Sequence, residues 1–82
     1  MDLADTLVLR RMTDPDVHAV WEIETATFST PWTADTFRSL FHRAPVELLV
    51  AERNDELVGY AVLWCIADEG ELANIAIRED LR

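Results

Sequence analysis

The chain has 82 residues, half of them apolar, and a formal net charge of −9. This composition predicts one small globular domain, because disordered chains have low hydrophobicity. The negative charge argues against nucleic acid or an anionic membrane as the main partner, since both are bound through basic surfaces. No apolar run reaches the roughly 18–20 residues of a membrane span, and the N-terminus has the wrong charge order for a signal peptide. A cytoplasmic protein is therefore expected.

The first half of the chain predicts one strand followed by two helices. The strand is expected over Leu7–Met12, and Asp14 and Pro15 then suit the cap and first position of a helix. The apolar face of this helix consists of Val17, Val20, Trp21 and Phe28. Pro31 follows the end of that helix, and Thr33 is a suitable cap for a second one. The apolar face of the second helix consists of Phe37, Leu40 and Phe41.

The second half of the chain predicts three strands joined by short turns. The predicted strands are Val46–Glu52, Leu57–Ala67 and Leu72–Ile77. The middle strand is apolar on both faces, which predicts a central position covered on both sides and a buried, inert thiol at Cys65. The order strand, helix, helix and three-strand antiparallel meander predicts an α+β (mixed α/β) fold. The last strand is expected to leave an apolar edge that more protein should cover.

Three features have both a structural and a functional interpretation. In residues 28–32, FSTPW, the two aromatic rings either fill the core beneath an interhelical loop or form part of a binding site. Glu24 falls on the apolar face of the first helix, either at its rim or aimed into a site. Asn74 interrupts the last apolar strand, where it either satisfies a bulge or marks the point at which the backbone meets a ligand.

Other common site patterns are missing from the sequence. Cys65 and the two distant histidines, His18 and His42, do not form a zinc pattern, so no metal is expected. The two glycines, Gly59 and Gly70, do not form a phosphate-binding loop.

These elements and motifs resemble the N-terminal half of the GNAT acetyltransferase family. Within that family they are similar to the bacterial ribosomal-protein-alanine N-acetyltransferases (RimI type). The matching residues are Ile23-Glu24, Phe28, Pro31-Trp32, Glu71, Leu72 and Asn74 to Ile77. The resemblance implies transfer of an acetyl group from acetyl-CoA to a protein N-terminal amine, such as the N-terminal alanine of a ribosomal protein.

The resemblance also implies residues for the two substrates. The implied cofactor-binding residues are Ile75, Ala76, Ile77 and Arg82, and the implied acceptor-binding residues are Glu24, Phe28, Pro31 and Trp32. The exposed strand backbone would bind the pantetheine arm and polarise the acetyl carbonyl. Glu24 would attract the cationic N-terminus of the acceptor, and the aromatic loop would form the walls of its groove.

The resemblance reaches only the start of the family's pyrophosphate loop, of which Arg82 would be the first residue. The family's general base and its thiolate-protonating tyrosine have no matching position, so no catalytic residue is predicted. Residues 1–82 are therefore expected to be half of a GNAT domain, truncated at this loop and inactive alone. The alternative is a small acidic interaction domain that binds a partner, or a second copy, through its exposed last strand.

Overall fold

The computed structural model describes residues 7–66 and 69–81. The elements are β1 (Leu7–Arg11), α1 (Val17–Thr27), α2 (Ala34–Leu40), β2 (Val46–Arg53), β3 (Glu56–Ile66) and β4 (Glu69–Ile77), with single 3-10 turns before α1 and after β4. This order confirms the predicted α+β fold. The expected end of the middle strand at Ala67 lies outside the described residues.

The four strands form one antiparallel sheet in the order β1-β2-β3-β4. Asn54 and Asp55 connect β2 to β3, and both have positive φ angles, 53° and 66°. Two such residues in succession form the hairpin turn whose twist matches that of the flanking strands. In the sheet, β1 pairs with β2, β2 with β3, and β3 with β4. The two helices lie in the chain between β1 and β2.

Both helices pack on the same face of the sheet. The buried core beneath them consists of Met12, Val17, Val20, Ile23, Phe37, Leu40, Leu48, Val50, Tyr60, Val62 and Ala76. The strand members of this set alternate along β2 and β3, because successive side chains of a strand point to opposite faces. Of the apolar face predicted for α1, Val17 and Val20 are fully buried, whereas Trp21 is only partly so.

The opposite face of the sheet is apolar but exposed in the described part of the chain. Leu9 is 69% exposed and Ile75 is 52% exposed. The prediction that the middle strand is covered on both sides is therefore wrong, although β3 is internal to the sheet. Cys65 on the same strand is exposed and not buried, because the helices cover only one face of the sheet.

Side chains satisfy the backbone at both helix starts. Thr33 caps α2 as predicted, and its hydroxyl accepts the N–H of Thr36 at 3.1 Å. Before α1 the backbone N–H of Thr13 donates to the carboxylate of Asp16 at 2.7 Å. The predicted cap, Asp14, is wrong by one residue, since it is already the first residue of the 3-10 turn that leads into α1.

Asp16 also joins the helical layer to the sheet. Its carboxylate accepts Nη1 and Nη2 of Arg10 at 2.7 and 2.8 Å, and Nε of Arg10 donates to Glu52 at 2.6 Å. This bidentate hydrogen bonding from Arg10 lowers the pKa of Asp16 to about 2. The start of α1 is therefore held to β1 and β2 by one guanidinium group.

Replacing Asp16 with Asn should destabilise the fold in a pH-dependent manner. Because the pKa of Asp16 is lower in the folded than in the unfolded chain, its contribution is complete above about pH 5 and is lost as the pH falls towards 2. Asp16→Asn should lower the free energy of unfolding by about 1–2 kcal/mol at neutral pH and by much less near pH 2, measured by urea denaturation. The control is Asp35→Asn, since the Asp35 side chain is 95% exposed. Equal losses at both pH values would contradict this interpretation.

Candidate functional site

Among the residues that the structure describes, one carboxylate is buried. Glu24 on α1 is only 1% exposed. Its Oε2 accepts the backbone N–H of Trp32 at 2.8 Å, and its Oε1 accepts the hydroxyl of Tyr60 and Nδ2 of Asn74, the latter at 2.7 Å. A buried carboxylate is tolerated when its oxygens are hydrogen-bonded. These four residues, called the Glu24 cluster below, connect α1, the interhelical loop, β3 and β4.

The position of Glu24 differs from the predicted place at the rim of the apolar helix face, because its side chain is buried. Its partners Tyr60 and Asn74 come from strands much later in the chain, so the helix pattern alone does not reveal them. Because both oxygens already accept bonds from the chain itself, a direct role in attracting the acceptor stays a prediction.

Tyr60 is the member of the Glu24 cluster that sequence reasoning missed. It is buried and packs edge-on against Phe37, with ring centroids 5.6 Å apart. Burial, and then the hydrogen bond to Glu24, raise the pKa of Tyr60 above its usual value. The hydroxyl thus stays protonated at neutral pH. The sequence feature that could have identified Tyr60 is its place in an apolar strand, since a buried hydroxyl requires a polar partner.

Asn74 lies directly after an irregularity in β4. Val62 pairs with Asn74 and Leu63 pairs with Leu72, so Ala73 is the extra residue of a β-bulge. The amide side chain of Asn74 then reaches Glu24 and lies 3.4 Å from the Tyr60 hydroxyl. Of the two interpretations of Asn74, the structure supports its association with a bulge.

The three predicted cofactor-binding residues of β4, Ile75, Ala76 and Ile77, do not all face the same way. β4 is the last strand of the sheet formed by the described residues. The N–H of Arg78 donates to the carbonyl of Val58 on β3 at 2.7 Å. The alternation of an antiparallel ladder then directs the peptide groups of Ala76 towards β3 and those of Ile75 towards the outer edge. The side chain of Ala76 is buried, whereas those of Ile75 and Ile77 are exposed.

The predicted acceptor loop packs partly into the core. Phe28 and Trp32 are partly buried against the core, and the rings of Trp32 and Phe37 have centroids 5.4 Å apart. Pro31 is exposed. These contacts support the interpretation in which the rings fill the core beneath the loop, and a role as groove walls stays a prediction.

The remaining predicted residue, Arg82, lies outside the described residues. A cavity of about 710 Å³ opens between α1, the start of β3 and the residues after β4. None of the predicted site residues that the structure describes lines this cavity. Within residues 7–66 and 69–81, no group of three or more metal-ligating side chains is present. In the same ranges, every helix is too short or too polar to cross a membrane.

The order of helices and strands agrees with the comparison to known families. The family model described as Acetyltransferase (GNAT) family matches residues 17–82. The chain belongs to the GNAT family. This finding confirms the family and the partial GNAT fold that the sequence motifs predicted.

Three known proteins illustrate the similarity. A Bacillus subtilis (strain 168) protein named as a ribosomal protein bS18-alanine N-acetyltransferase is 36% identical over 75 residues, which are 90% of this chain and 50% of that protein. The ribosomal-protein-S18-alanine N-acetyltransferase of Escherichia coli shares the fold with a TM-score of 0.82 at 23% identity, over 94% of this chain and 49% of that one. The PaiA N-acetyltransferase of Thermoplasma acidophilum, solved with coenzyme A, has a TM-score of 0.64 at 14% identity, over 92% and 60%. The GNAT chain described here thus spans about half the length of its curated relative.

The ionisation of Tyr60 offers a direct test of the Glu24 cluster. Tyr60 is the sole tyrosine of the sequence, so tyrosinate absorbance reports on it alone. Because its pKa is raised, the folded protein should show no tyrosinate near pH 10, where an exposed tyrosine ionises. The associated stability is present below about pH 10 and is lost as the pH rises further, so tyrosinate should appear together with unfolding seen by circular dichroism.

Glu24→Gln provides the matched control for this titration. It removes the carboxylate that lies next to the hydroxyl but leaves Tyr60 buried, so it should lower the pKa of Tyr60 only part of the way to the usual value. Tyrosinate absorbance near pH 10 in the folded wild-type protein would contradict the geometry of the cluster.

Proposed function

We propose that this GNAT protein is an acetyl-CoA-dependent N-acetyltransferase whose acceptor is a protein N-terminal amine, with the N-terminal alanine of a ribosomal protein as its substrate. Family membership and the named activities of the similar Bacillus subtilis and Escherichia coli proteins support this activity. The structural observation that carries the proposal is the outer edge of β4. There the bulge and the anchored Asn74 precede Ile75, whose peptide groups are directed away from the sheet.

The outer edge of β4 fits an extended ligand that contains amides. The Ile75 N–H and carbonyl are directed outward and match the donors and acceptors of a pantetheine arm. A preorganised N–H group can also stabilise negative charge that develops on an acetyl oxygen. Acetyl-CoA, when bound, would supply the activated thioester, and coenzyme A would leave as the thiol. The chain's own part is to hold the arm at β4 and to keep the edge strand in place through Asn74 and Glu24.

The acceptor is proposed to bind at residues 28–32, beside the N-terminal end of α2. Phe28, Pro31 and Trp32 would contact the first residues of the acceptor, and Glu24 would hold the loop through the Trp32 N–H. The net charge of −9 would steer a cationic N-terminus towards the protein. A ribosomal acceptor would place the reaction in the cytoplasm.

Acetyl transfer is proposed to require more than these 82 residues. The chain matches 50% of its curated relative's length. We therefore propose that residues 1–82 supply one half of a GNAT domain and that the other half supplies the catalytic acid and base. Arg82 would begin the pyrophosphate-binding loop between the two halves. The product that contains both halves is called the complete domain below.

The test compares the complete domain with the 82-residue chain. The coding DNA is read beyond codon 82 in all three frames, and the continuing frame is expressed. The complete domain should acetylate a peptide that begins with alanine, as detected by mass spectrometry. The 82-residue chain should show no turnover and weak or no acetyl-CoA binding in titration calorimetry.

A control peptide makes this comparison decisive. A peptide with a blocked N-terminus and an internal lysine should remain unmodified. Absence of transfer by the complete domain, or absence of a second half in every frame, would overturn the proposed function. Turnover by the 82 residues alone would instead overturn the requirement for a second half.

A second candidate function is favoured by the exposed apolar side chains of β4. Leu72, Ile75 and Ile77 are all exposed on this outermost strand of the described sheet. Exposed apolar edges are normally covered, and a strand from another chain can cover them by joining the sheet. In this alternative, the 82 residues form an interaction domain that binds a partner or a second copy along β4.

Ile75→Lys tests this second candidate. A lysine on the exposed face of an edge strand disfavours added strands. If β4 mediates self-association, light scattering should show a dimer or larger complex for the wild-type chain and a monomer for Ile75→Lys. Ala44→Lys, which adds the same charge at an exposed turn, should leave the association unchanged. A wild-type chain that stays monomeric and soluble would contradict self-association through β4.

A further inference from the structure

The Glu24 carboxylate lies between the two elements that the proposed function assigns to the two substrates. Its Oε2 bonds the N–H of Trp32 in the acceptor loop, at 2.8 Å. Its Oε1 bonds Nδ2 of Asn74 at 2.7 Å, one residue before Ile75 on the proposed cofactor strand. Because Glu24 is 1% exposed, solvent does not compete for either bond.

These contacts require both oxygens of Glu24 to act as hydrogen-bond acceptors. A backbone N–H and an amide nitrogen are both obligate donors, and they lie on different oxygens of Glu24. A carboxylate accepts at both positions, whereas a glutamine of the same size accepts at only one. Glutamine at position 24 would therefore keep its bond to either the loop or the strand and lose the other.

We propose that Glu24 is a positioning residue that sets the distance between the acceptor loop and the backbone of β4, a role that rests on the proposed function. In this role Glu24 acts through its hydrogen bonds to Trp32 and Asn74 and not through contact with a substrate. A misplacement of about 1 Å between reacting groups can lower a rate about 100-fold. Loss of the link should therefore reduce kcat more than it reduces the affinity for each substrate, because each binding element keeps its own contacts.

The first test is Glu24→Gln in the complete domain. We expect kcat to fall by about 10- to 100-fold. The KM values for acetyl-CoA and for the alanine peptide should each stay within about threefold, because the contacts that bind each substrate are retained.

The second test reverses the polarity of one bond. In Glu24→Gln combined with Asn74→Asp, the glutamine amide donates to the new aspartate while its oxygen accepts the Trp32 N–H. The Tyr60 hydroxyl, 3.4 Å from Nδ2 of Asn74, can donate to the same aspartate. The double variant should recover about tenfold in kcat relative to Glu24→Gln, which corresponds to about 1.4 kcal/mol of activation free energy.

The matched control is Val17→Ala, which removes a fully buried side chain from the same helix about two turns before Glu24. It should lower the melting temperature while kcat stays within about twofold. Nuclear magnetic resonance adds a readout that does not need turnover. Asn74→Ala in the complete domain should shift the Trp32 amide resonance and accelerate its exchange, because the path from Asn74 to Trp32 runs through Glu24.

The outcomes separate this inference from the proposed function. If the wild-type domain transfers acetyl but Glu24→Gln loses no more kcat than Val17→Ala, the positioning role is overturned and the acetyltransferase stands. The same conclusion follows if the double variant regains its melting temperature without regaining kcat, or if Asn74→Ala leaves the Trp32 amide unchanged. A wild-type domain without acetyl transfer overturns both.

Discussion

A buried carboxylate must have its oxygens hydrogen-bonded, and this requirement at Glu24 determines how the helices meet the sheet. The carboxylate accepts bonds from the interhelical loop, β3 and β4. Removing one donor would leave part of a buried carboxylate unpaired, which is costly in a protein interior. The edge strand, which pairs with β3, is therefore also tied to a residue in the first helix through Asn74.

The two sides of β4 explain why two functions remain in competition. On the inner side, Asn74 and Ala76 face the helical layer, and Asn74 is tied to Glu24. On the outer side, the peptide groups of Ile75 point towards the sheet edge, and its side chain is exposed to solvent. An extended cofactor arm and an added strand both use peptide groups at a sheet edge. Family membership favours the cofactor arm, and the exposed apolar side chains favour the strand.

Local sequence signals were sufficient for most of the fold. The order of elements followed from hydrophobic periodicity and from the positions of proline, and the cap at Thr33 followed from its side-chain chemistry. The errors arose where local signals do not reach. Asp14 was predicted as the cap, whereas Thr13 precedes the 3-10 turn, and Asp16, which Arg10 on β1 engages, precedes α1. Cys65 lies in an apolar strand, yet it is exposed because no described helix covers that face.

The sequence by itself determined the α+β class, the strand meander and the GNAT family, because these depend on periodicity and on short motifs. Only the tertiary structure decided the role of Glu24. Its partners Tyr60 and Asn74 lie 36 and 50 residues away, and neither distance is visible in a helical pattern. A glutamate on an apolar face has the same sequence signature at a rim, in a groove or in the core. Folding selects the core here because β3 and β4 bring a hydroxyl and an amide to the same point, where their hydrogen bonds offset the loss of water.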